Sequence, residues 1–560
     1  MTVTQPSDQA ARERIREDLD STLFVEAGAG TGKTSELVRR IVRLVASGRT
    51  EMQRIAAITF TEAAAAELRD RVRIELEKAA GETDSPSSEE RTRCEAALAQ
   101  VDAAAVETLH GFARRILAGH PLEAGLPPSF DVLDEIGASI TFEERWTAFV
   151  DDLLADQSLE ETLLRAFTLG LTLEHLHIVA LEFHRHRDRL EDVTIDVGPL
   201  RAVDAGPLVR DLEQVCELRA SCQDPDDGLY RHLEGLDMYR RRLAAAETDL
   251  VRLSIWAEGT RMKCSVGRRE NWDGVTPSDV RGLLTEADQM RSDLLWQARS
   301  SLLSPLLAAI RHFILKYAED RRRQGRLEFH DLLVQARDLL RRDALVRSAV
   351  REQFSHLLID EFQDTDPIQT EMAVLLAAKG VDGKSPPWHE ASIEAGRLFF
   401  VGDPKQSIYR FRRADIVLYQ AVQERFSGET VRLTQNFRSV KPVIDWVNHI
   451  FAGLMAEETE GQATYVPIEP WWEPPETTPV TVHVLGGPSE GLVSSIRQRE
   501  AAEIARIIEA AKAEGWPVGE IQGSGERVIR RAQYADIAIL MPTRTTLPPI
   551  EQALEEEFGL

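Results

Sequence analysis

Cysteine is scarce in this chain of 560 residues: there are four, Cys94, Cys216, Cys222 and Cys264, and none falls in CxxC spacing. That pattern excludes a disulfide framework and a zinc or iron–sulfur centre, and leaves the four thiols as small buried hydrophobes. No stretch approaches the ~18 consecutive apolar residues of a membrane span, and the N-terminal run "MTVTQPSDQAARERIREDLD" has no apolar core of an export signal. A cytoplasmic protein with no membrane partner is expected. Positive charge is also in short supply, with 67 Lys and Arg against 93 Asp and Glu and a formal net charge of -26. A protein coated in nucleic acid is therefore excluded. A narrow phosphate-binding channel is not, because net charge is a sum and binding is local.

The chain is too long for a single core, and its 43% hydrophobic and 29% charged residues describe a soluble globular protein. From 22 to 119, short apolar runs ("TLFVEA", "RIAAITF", "VDAAAVE") alternate with helical stretches, the pattern of a parallel α/β sheet. A polar loop, "GETDSPSSEERT", interrupts them at 81 to 92. From about 137 to 353, Leu, Ala, Arg and Glu recur at helical spacing with almost no β-rich runs. The α/β alternation then returns in "FSHLLIDEF", "RLFFVGD" and "ETVRLTQNF", so a helical domain inserted into an α/β domain is the economical reading. After the Pro-rich stretch "VPIEPWWEPPETTPV" come the run "VTVHVL", a long helix near 498 to 514 and an expected strand, "YADIAILM", at 534 to 541. These read as the start of a second α/β domain. There is no internal repeat beyond this alternation.

One loop carries clear chemistry. "FVEAGAGTGKTSELVRRIV" sets a Gly-rich turn between a strand and a helix. Successive backbone N–H groups from Ala27, Gly28, Ala29, Gly30, Thr31 and Gly32 would face phosphate oxygens, Lys33 would reach the β- and γ-phosphates, and the Thr34 hydroxyl would ligate Mg²⁺. The strict pattern wants glycine where this chain has Ala27. "HLLIDEFQDTD" supplies the partner: an apolar run delivers Asp360 and Glu361 to the edge of a parallel sheet, where ligands bind. Asp360 suits the metal and Glu361 suits a base for an attacking water. ATP and Mg²⁺ are the expected cofactors.

With those two motifs in place, the chain resembles the superfamily 1A helicases of the UvrD/PcrA/Rep group, and most closely their RecB- and AddA-like helicase–nuclease branch. The resemblance rests on an ordered series: "EAGAGTGKT", "AITFTEAAAAELRDRV", "ETLHGFARRIL", "RLEFHDLL", "LLIDEFQDTDPIQ", "FVGDPKQSIYRFRRAD" and "LTQNFRS". The wording "TEAAAAEL", the run "LHGFARRIL" and the large helical insertion lean toward the RecB and AddA branch.

The resemblance implies roles. Gln9 would read the adenine edge and Phe437 would stack on the adenine. Gln406 would sense the γ-phosphate, and Arg438 would reach it as an arginine finger whose planar cation suits developing negative charge. Tyr409 and Phe411 would stack on bases of single-stranded DNA, and Arg412 would serve a backbone phosphate or the nucleotide pocket. Thr59, Phe60, Thr61, Thr108 and His110 would cradle the DNA strand on neighbouring loops. The arginine runs "HRHRDR", "YRRRL" and "DRRRQGR" read as solvated helix faces, while the family's insertion touches duplex DNA or partner subunits.

The fold implied is a RecA-like P-loop motor domain (1–119 and 326–430) carrying a helical insertion (120–325), followed by the start of a second RecA-like domain (431–560). The function implied is ATP-dependent 3′–5′ translocation and unwinding of DNA in double-strand-break repair and recombination, as the helicase part of a helicase–nuclease. Single-stranded DNA, duplex junctions or ends, and a second helicase or nuclease subunit would be its partners, in the nucleoid. Two alternatives stay open: a stand-alone UvrD-like repair helicase, and an ATP-gated single-stranded DNA-binding module with little motor activity. Nothing after Arg438 matches the family's later motifs or a nuclease cluster. These residues therefore read as the N-terminal portion of a larger motor, with weak turnover and no processive unwinding expected of them alone.

Overall fold

The computed structural model describes residues 5–81, 87–379, 388–408, 416–457, 459, 461–474, 482–484, 491–521 and 527–557. Its strands are, in chain order, β1 (Leu23–Ala27), β2 (Ile55–Thr59), β3 (Ala105–Thr108), β4 (Asp131–Val132), β5 (Arg326–Leu327), β6 (His356–Ile359), β7 (Leu398–Gly402), β8 (Thr430–Leu433), β9 (Gln435–Val440), β10 (Glu469–Trp472), β11 (Pro517–Ile521) and β12 (Arg527–Arg531). The helices that place the site are α1 (Gln9–Glu17), α2 (Lys33–Ala46) and α3 (Glu62–Gly81). The chain forms two compact units, one of Met1–Ile116 with Ala336–Leu560 and the other of Leu117–Gln335.

In the first unit, six strands form one sheet in the order β3-β2-β6-β7-β1-β8, every pairing parallel. Parallel strands covered on both faces read as continuous apolar runs, which is why "TLFVEA" and "RLFFVGD" are legible as strands. Leu23 and Val25 of β1, with Val106 of β3, pack against Leu37 and Ile41 of α2 and Leu68 and Val72 of α3. The opposite face carries an aromatic cluster: Phe24, Phe362, Phe400 and Tyr419 have ring centroids 4.6 to 6.0 Å apart. Phe362 thereby anchors the turn that bears the acidic residues.

Beyond β8, β9 pairs parallel with β10, and β11 with β12 forms an antiparallel hairpin. The long helix expected near 498 to 514 spans Val493–Ala513. The strand expected at 534 to 541 does not form. Tyr534–Asp536 is a 3-10 turn instead, Asp536 being captured by two Arg530 nitrogens at 2.7 Å and by the Gln533 amide at 2.7 Å. Leu540, in the apolar run that follows, is 94% exposed, since among the described residues no strand pairs with it. The run 480–485 lies in part outside the described residues.

The Leu117–Gln335 unit is helical apart from the short β4–β5 pair. Its longest element, Pro277–Gln324, starts at a Thr276–Asp279 capping box and stops at Gly325, whose φ of 67° closes the helix. Ile310 and Ile314 of that helix pack with Phe142 and Trp146, and Leu284 packs with Leu212 and Leu233.

The arginine runs are not plain solvated faces. Arg187 and Arg321 are buried and share Asp331, Arg321 at 2.9 Å. Arg321 also lies 4.1 Å above the Tyr317 ring, and Glu328 accepts from His184 at 2.8 Å. Burial alone would raise the Asp331 carboxyl, but Arg187 and Arg321 outweigh it and hold it below the usual carboxylate range. Arg240 and Arg242 face Glu213, Asp237 and Glu258. Of the cysteines, Cys94 and Cys216 are buried as expected, whereas Cys222 and Cys264 are only half-buried. Among the described residues, no single helix is long and apolar enough to cross a membrane.

Candidate nucleotide and DNA site

The Gly-rich turn leaves β1 at the fully buried Ala27 and enters α2 at Lys33. Two steps of the turn need positive φ, 72° at Gly30 and 81° at Gly32, which glycine adopts without a Cβ clash. Thr31 Oγ1 donates to the Gly28 carbonyl at 2.7 Å and closes the loop on itself. The first N–H groups of α2, at Lys33 and Thr34, have no partner within the helix and point out at its positive end, which makes an anion cradle.

Lys33 Nζ forms an ion pair with Glu361 Oε2. Asp360 follows β6 directly, and its Oδ1 accepts from the Glu361 amide at 2.9 Å. Glu361 has φ 51°, the only positive φ outside glycine among the described residues, so backbone strain sits on the carboxylate that faces the P-loop lysine. Burial, reinforced by the Glu361 charge, pushes the Asp360 carboxyl up to about 6 against the opposing pull of Lys33. Asp364 is pushed up to about 6 for the same reasons, and its Oδ1 is buried without a hydrogen-bond partner.

This donor set fits a magnesium–nucleotide. Among the described residues no group of three or more His, Cys, Asp or Glu forms a closed metal cage. Mg²⁺ asks for one or two carboxylates and fills its octahedron with phosphate oxygens and water. Carboxyls destabilised by burial and by one another are the groups a divalent cation would relieve.

The stretch after β8 closes on the loop. Phe437 N donates to Gly30 O at 2.8 Å, and Asn436 Nδ2 donates to Ala29 O at 2.6 Å. A Cβ at Gly30 would meet Asn436 Nδ2 at 2.6 Å and Arg438 Cβ at 2.8 Å. Arg438 therefore starts beside the phosphate cradle, with its side chain exposed. The Phe437 ring lies between the Arg12 guanidinium, at 4.9 Å, and Trp471, at 5.4 Å. Gln9 opens α1, where its amide donates to Glu13 of the same helix at 2.8 Å. Asp8, one residue earlier, binds Arg12 at 2.7 Å and accepts from the backbone of Thr434 and Gln435 at 2.9 and 3.0 Å. Asp8, Arg12 and Asn436 escape a reading of the sequence, because an aspartate acting across 426 residues leaves no local signal.

Gln406 donates to Asp403 Oδ2 at 2.9 Å in the turn after β7. That aspartate also meets Lys405 Nζ at 3.1 Å, and its backbone N–H donates to Gln363 Oε1 at 2.9 Å. On the neighbouring strand ends, Thr59 and Thr108 are register partners in β2 and β3. The Thr59 hydroxyl is buried without a hydrogen-bond partner, which suits it to a group that approaches the sheet edge. Thr61 accepts from the Ala64 amide at 3.1 Å and so starts α3. Thr108 accepts from Gly111 N at 3.1 Å and donates to Glu62 at 2.7 Å. Phe60 and His110 stand half-buried beside them. Tyr409, Phe411 and Arg412 lie outside the described residues.

Residues 7–427 match the profile of the UvrD/REP helicase N-terminal domain. The chain belongs to that family. Members of the UvrD/REP family that it resembles include an ATP-dependent helicase/nuclease subunit of Listeria welshimeri, 26% identical over 603 residues, and its namesake in Carboxydothermus hydrogenoformans, 27% identical over 590 residues. These alignments cover 96% and 93% of this chain and 47% of each relative. The protein of the same name in Geobacillus thermodenitrificans is 27% identical over 621 residues, covering 96% of this chain and again 47% of the relative. The chain thus spans about half the length of the curated relatives it matches.

Proposed function

We propose that this chain is the ATP-driven motor portion of a DNA helicase that moves 3′ to 5′ on single-stranded DNA and acts in double-strand-break repair and recombination. By the printed names of its relatives, it would form the helicase part of a helicase–nuclease with a second subunit. The observation that carries the reading is one sheet edge bringing together the Gly-rich loop, Lys33, Asp360 and Glu361, with Arg438 starting beside the same loop.

Bound ATP would supply the hydrolysable phosphoanhydride, and Mg²⁺, held by Thr34 and Asp360, would neutralise its charge. The loop amides from Gly28 to Thr34 would cradle the phosphates, and Lys33 would exchange Glu361 for a phosphate oxygen. Released from Lys33, Glu361 would orient and deprotonate the attacking water. Phe437 and Gln9 would hold the base, Gln406 would report on the γ-phosphate, and Arg438 would stabilise charge in the transition state. DNA would lie along Thr59, Phe60, Thr61, Thr108 and His110, with Tyr409 and Phe411 stacking on bases and Arg412 on the backbone.

The test is ATP hydrolysis by the purified chain with and without single-stranded DNA. Stimulation by DNA is expected. Tyr409→Ala with Phe411→Ala should remove the stimulation while leaving nucleotide binding intact, and Lys33→Ala should lower turnover at least ~100-fold. Hydrolysis indifferent to DNA would overturn the reading.

A further inference from the structure

We infer that Gln363 is a positioning residue that links the state of the nucleotide site to the turn at 402–407, through its side-chain amide. The inference rests on the nucleotide-site reading above and names the physical connection that the motor would need.

Gln363 is 2% exposed and lies between the two motifs. Its Nε2 donates to Glu361 Oε2 at 2.7 Å, and its Oε1 accepts from the Asp403 backbone N–H at 2.9 Å. An ionised carboxylate only accepts and a backbone N–H only donates, so the two contacts fix which way the amide faces. The same glutamine also holds the turn through its own carbonyl, which accepts from Ser407 Oγ at 3.2 Å.

The seat for the amide is built to its shape. A Cβ at Gly402 would come within 2.7 Å of Gln363 Oε1 and 3.2 Å of Gln363 N, so β7 ends in the one residue that lets the amide dock. Past Asp403 the chain of bonds runs on to Gln406 at 2.9 Å and Lys405 at 3.1 Å. At its other end, Glu361 Oε2 is shared between Gln363 and Lys33.

That sharing makes the link responsive. When Lys33 turns to a phosphate, Glu361 Oε2 keeps Gln363 as its remaining side-chain donor, and any shift of the carboxylate toward a water must strain or release the amide. Because the amide is packed against Gly402 and bonded to Asp403 N, the displacement passes to the 402–407 turn. In sequence this turn leads directly to Tyr409 and Phe411.

Hydrogen–deuterium exchange on the full chain, with and without the magnesium complex of the non-hydrolysable analogue AMPPNP, tests the link. In the unaltered chain the analogue should protect the 28–36 segment and change exchange in the 398–408 segment by about fivefold or more, the range expected when one buried hydrogen bond is made or lost. In Gln363→Met, which keeps the volume and removes both side-chain bonds, protection of 28–36 should remain and the response of 398–408 should vanish.

Gln363→Glu is the second variant, since it keeps an acceptor for Asp403 N and sets a negative charge against Glu361. It too should lose the 398–408 response while keeping protection at 28–36. A purely structural role would speed exchange of 398–408 equally in the free and bound states and leave the nucleotide-induced change in place. A 398–408 segment that responds in both variants, or never responds in the unaltered chain, overturns the link. Lack of protection at 28–36 in the unaltered chain would instead overturn the nucleotide site itself.

Discussion

Asp360 and Asp364 give the site a pH signature at the scale of single residues. Burial first, then the Glu361 charge, lifts both carboxyls to about 6, above the ordinary ~3.9 of an aspartate. A carboxyl raised in the folded state contributes stability that is full below about pH 4 and is lost as pH rises through 6. The nucleotide-free site is thus strained at neutral pH, and a divalent cation would remove that strain by favouring the ionised forms. Magnesium–nucleotide affinity should therefore rise with pH, by up to about tenfold per unit for each titrating carboxyl, and level off above about pH 6.5. Calorimetry from about pH 5 to 7.5 measures it, and proton uptake by the buffer should accompany binding near pH 6. Asp360→Asn should weaken binding and flatten the slope. An affinity independent of pH in the unaltered chain would contradict these shifts.

At the scale of elements, local signals were legible and remote ones were not. The apolar runs that became β1, β2, β6 and β7 declare themselves, because strands covered on both faces carry no polar residues to confuse the pattern. The Gly-rich turn and the Asp360–Glu361 pair were legible for a similar reason: their chemistry is packed into consecutive residues. "YADIAILM" has strand composition yet no strand, because pairing depends on a neighbour that composition cannot supply, and Arg530 claims Asp536 for a turn. The link from Gln363 to Asp403 spans 40 residues and rests on a fold not yet formed when the sequence is read. The arginine runs failed in the same way, since the Arg187 and Arg321 partner, Asp331, belongs to a different helix, Phe329–Arg342. Removing that partner has a large expected cost. Asp331→Ala leaves two guanidinium groups buried and uncompensated, and should destabilise the helical unit by about 3–5 kcal/mol. Urea denaturation followed by far-ultraviolet circular dichroism reads this directly. A loss under about 1 kcal/mol would mean that water reaches Arg187 and Arg321 freely.

For the whole molecule, the balance of charge constrains how DNA could be held. The net charge is -26, and the arginine-rich helices of the Leu117–Gln335 unit turn many of their guanidinium groups to carboxylates of their own unit: Arg187 and Arg321 to Asp331, Arg240 to Glu213 and Asp237, Arg242 to Glu258. Neutralised cations displace few counterions from a phosphate backbone. The groups proposed to meet the strand in the other unit are hydroxyls, backbone N–H groups and aromatic rings, which grip by hydrogen bonding and stacking and release no counterions. Binding to single-stranded DNA should then depend on salt through about three phosphate contacts, a logarithmic slope near about -2 at ~0.7 per contact. Affinity would fall roughly 15-fold between about 50 and 200 mM salt, where a protein with a continuous basic track loses ~10³-fold or more. Fluorescence titration of a labelled oligonucleotide across that range separates the two. The shallow slope, combined with loss of affinity in Tyr409→Ala with Phe411→Ala, would identify stacking as the grip. A slope steeper than about -5 would mean instead that arginines now bound to their own carboxylates swap partners when DNA arrives, and would move the DNA path onto the helical unit.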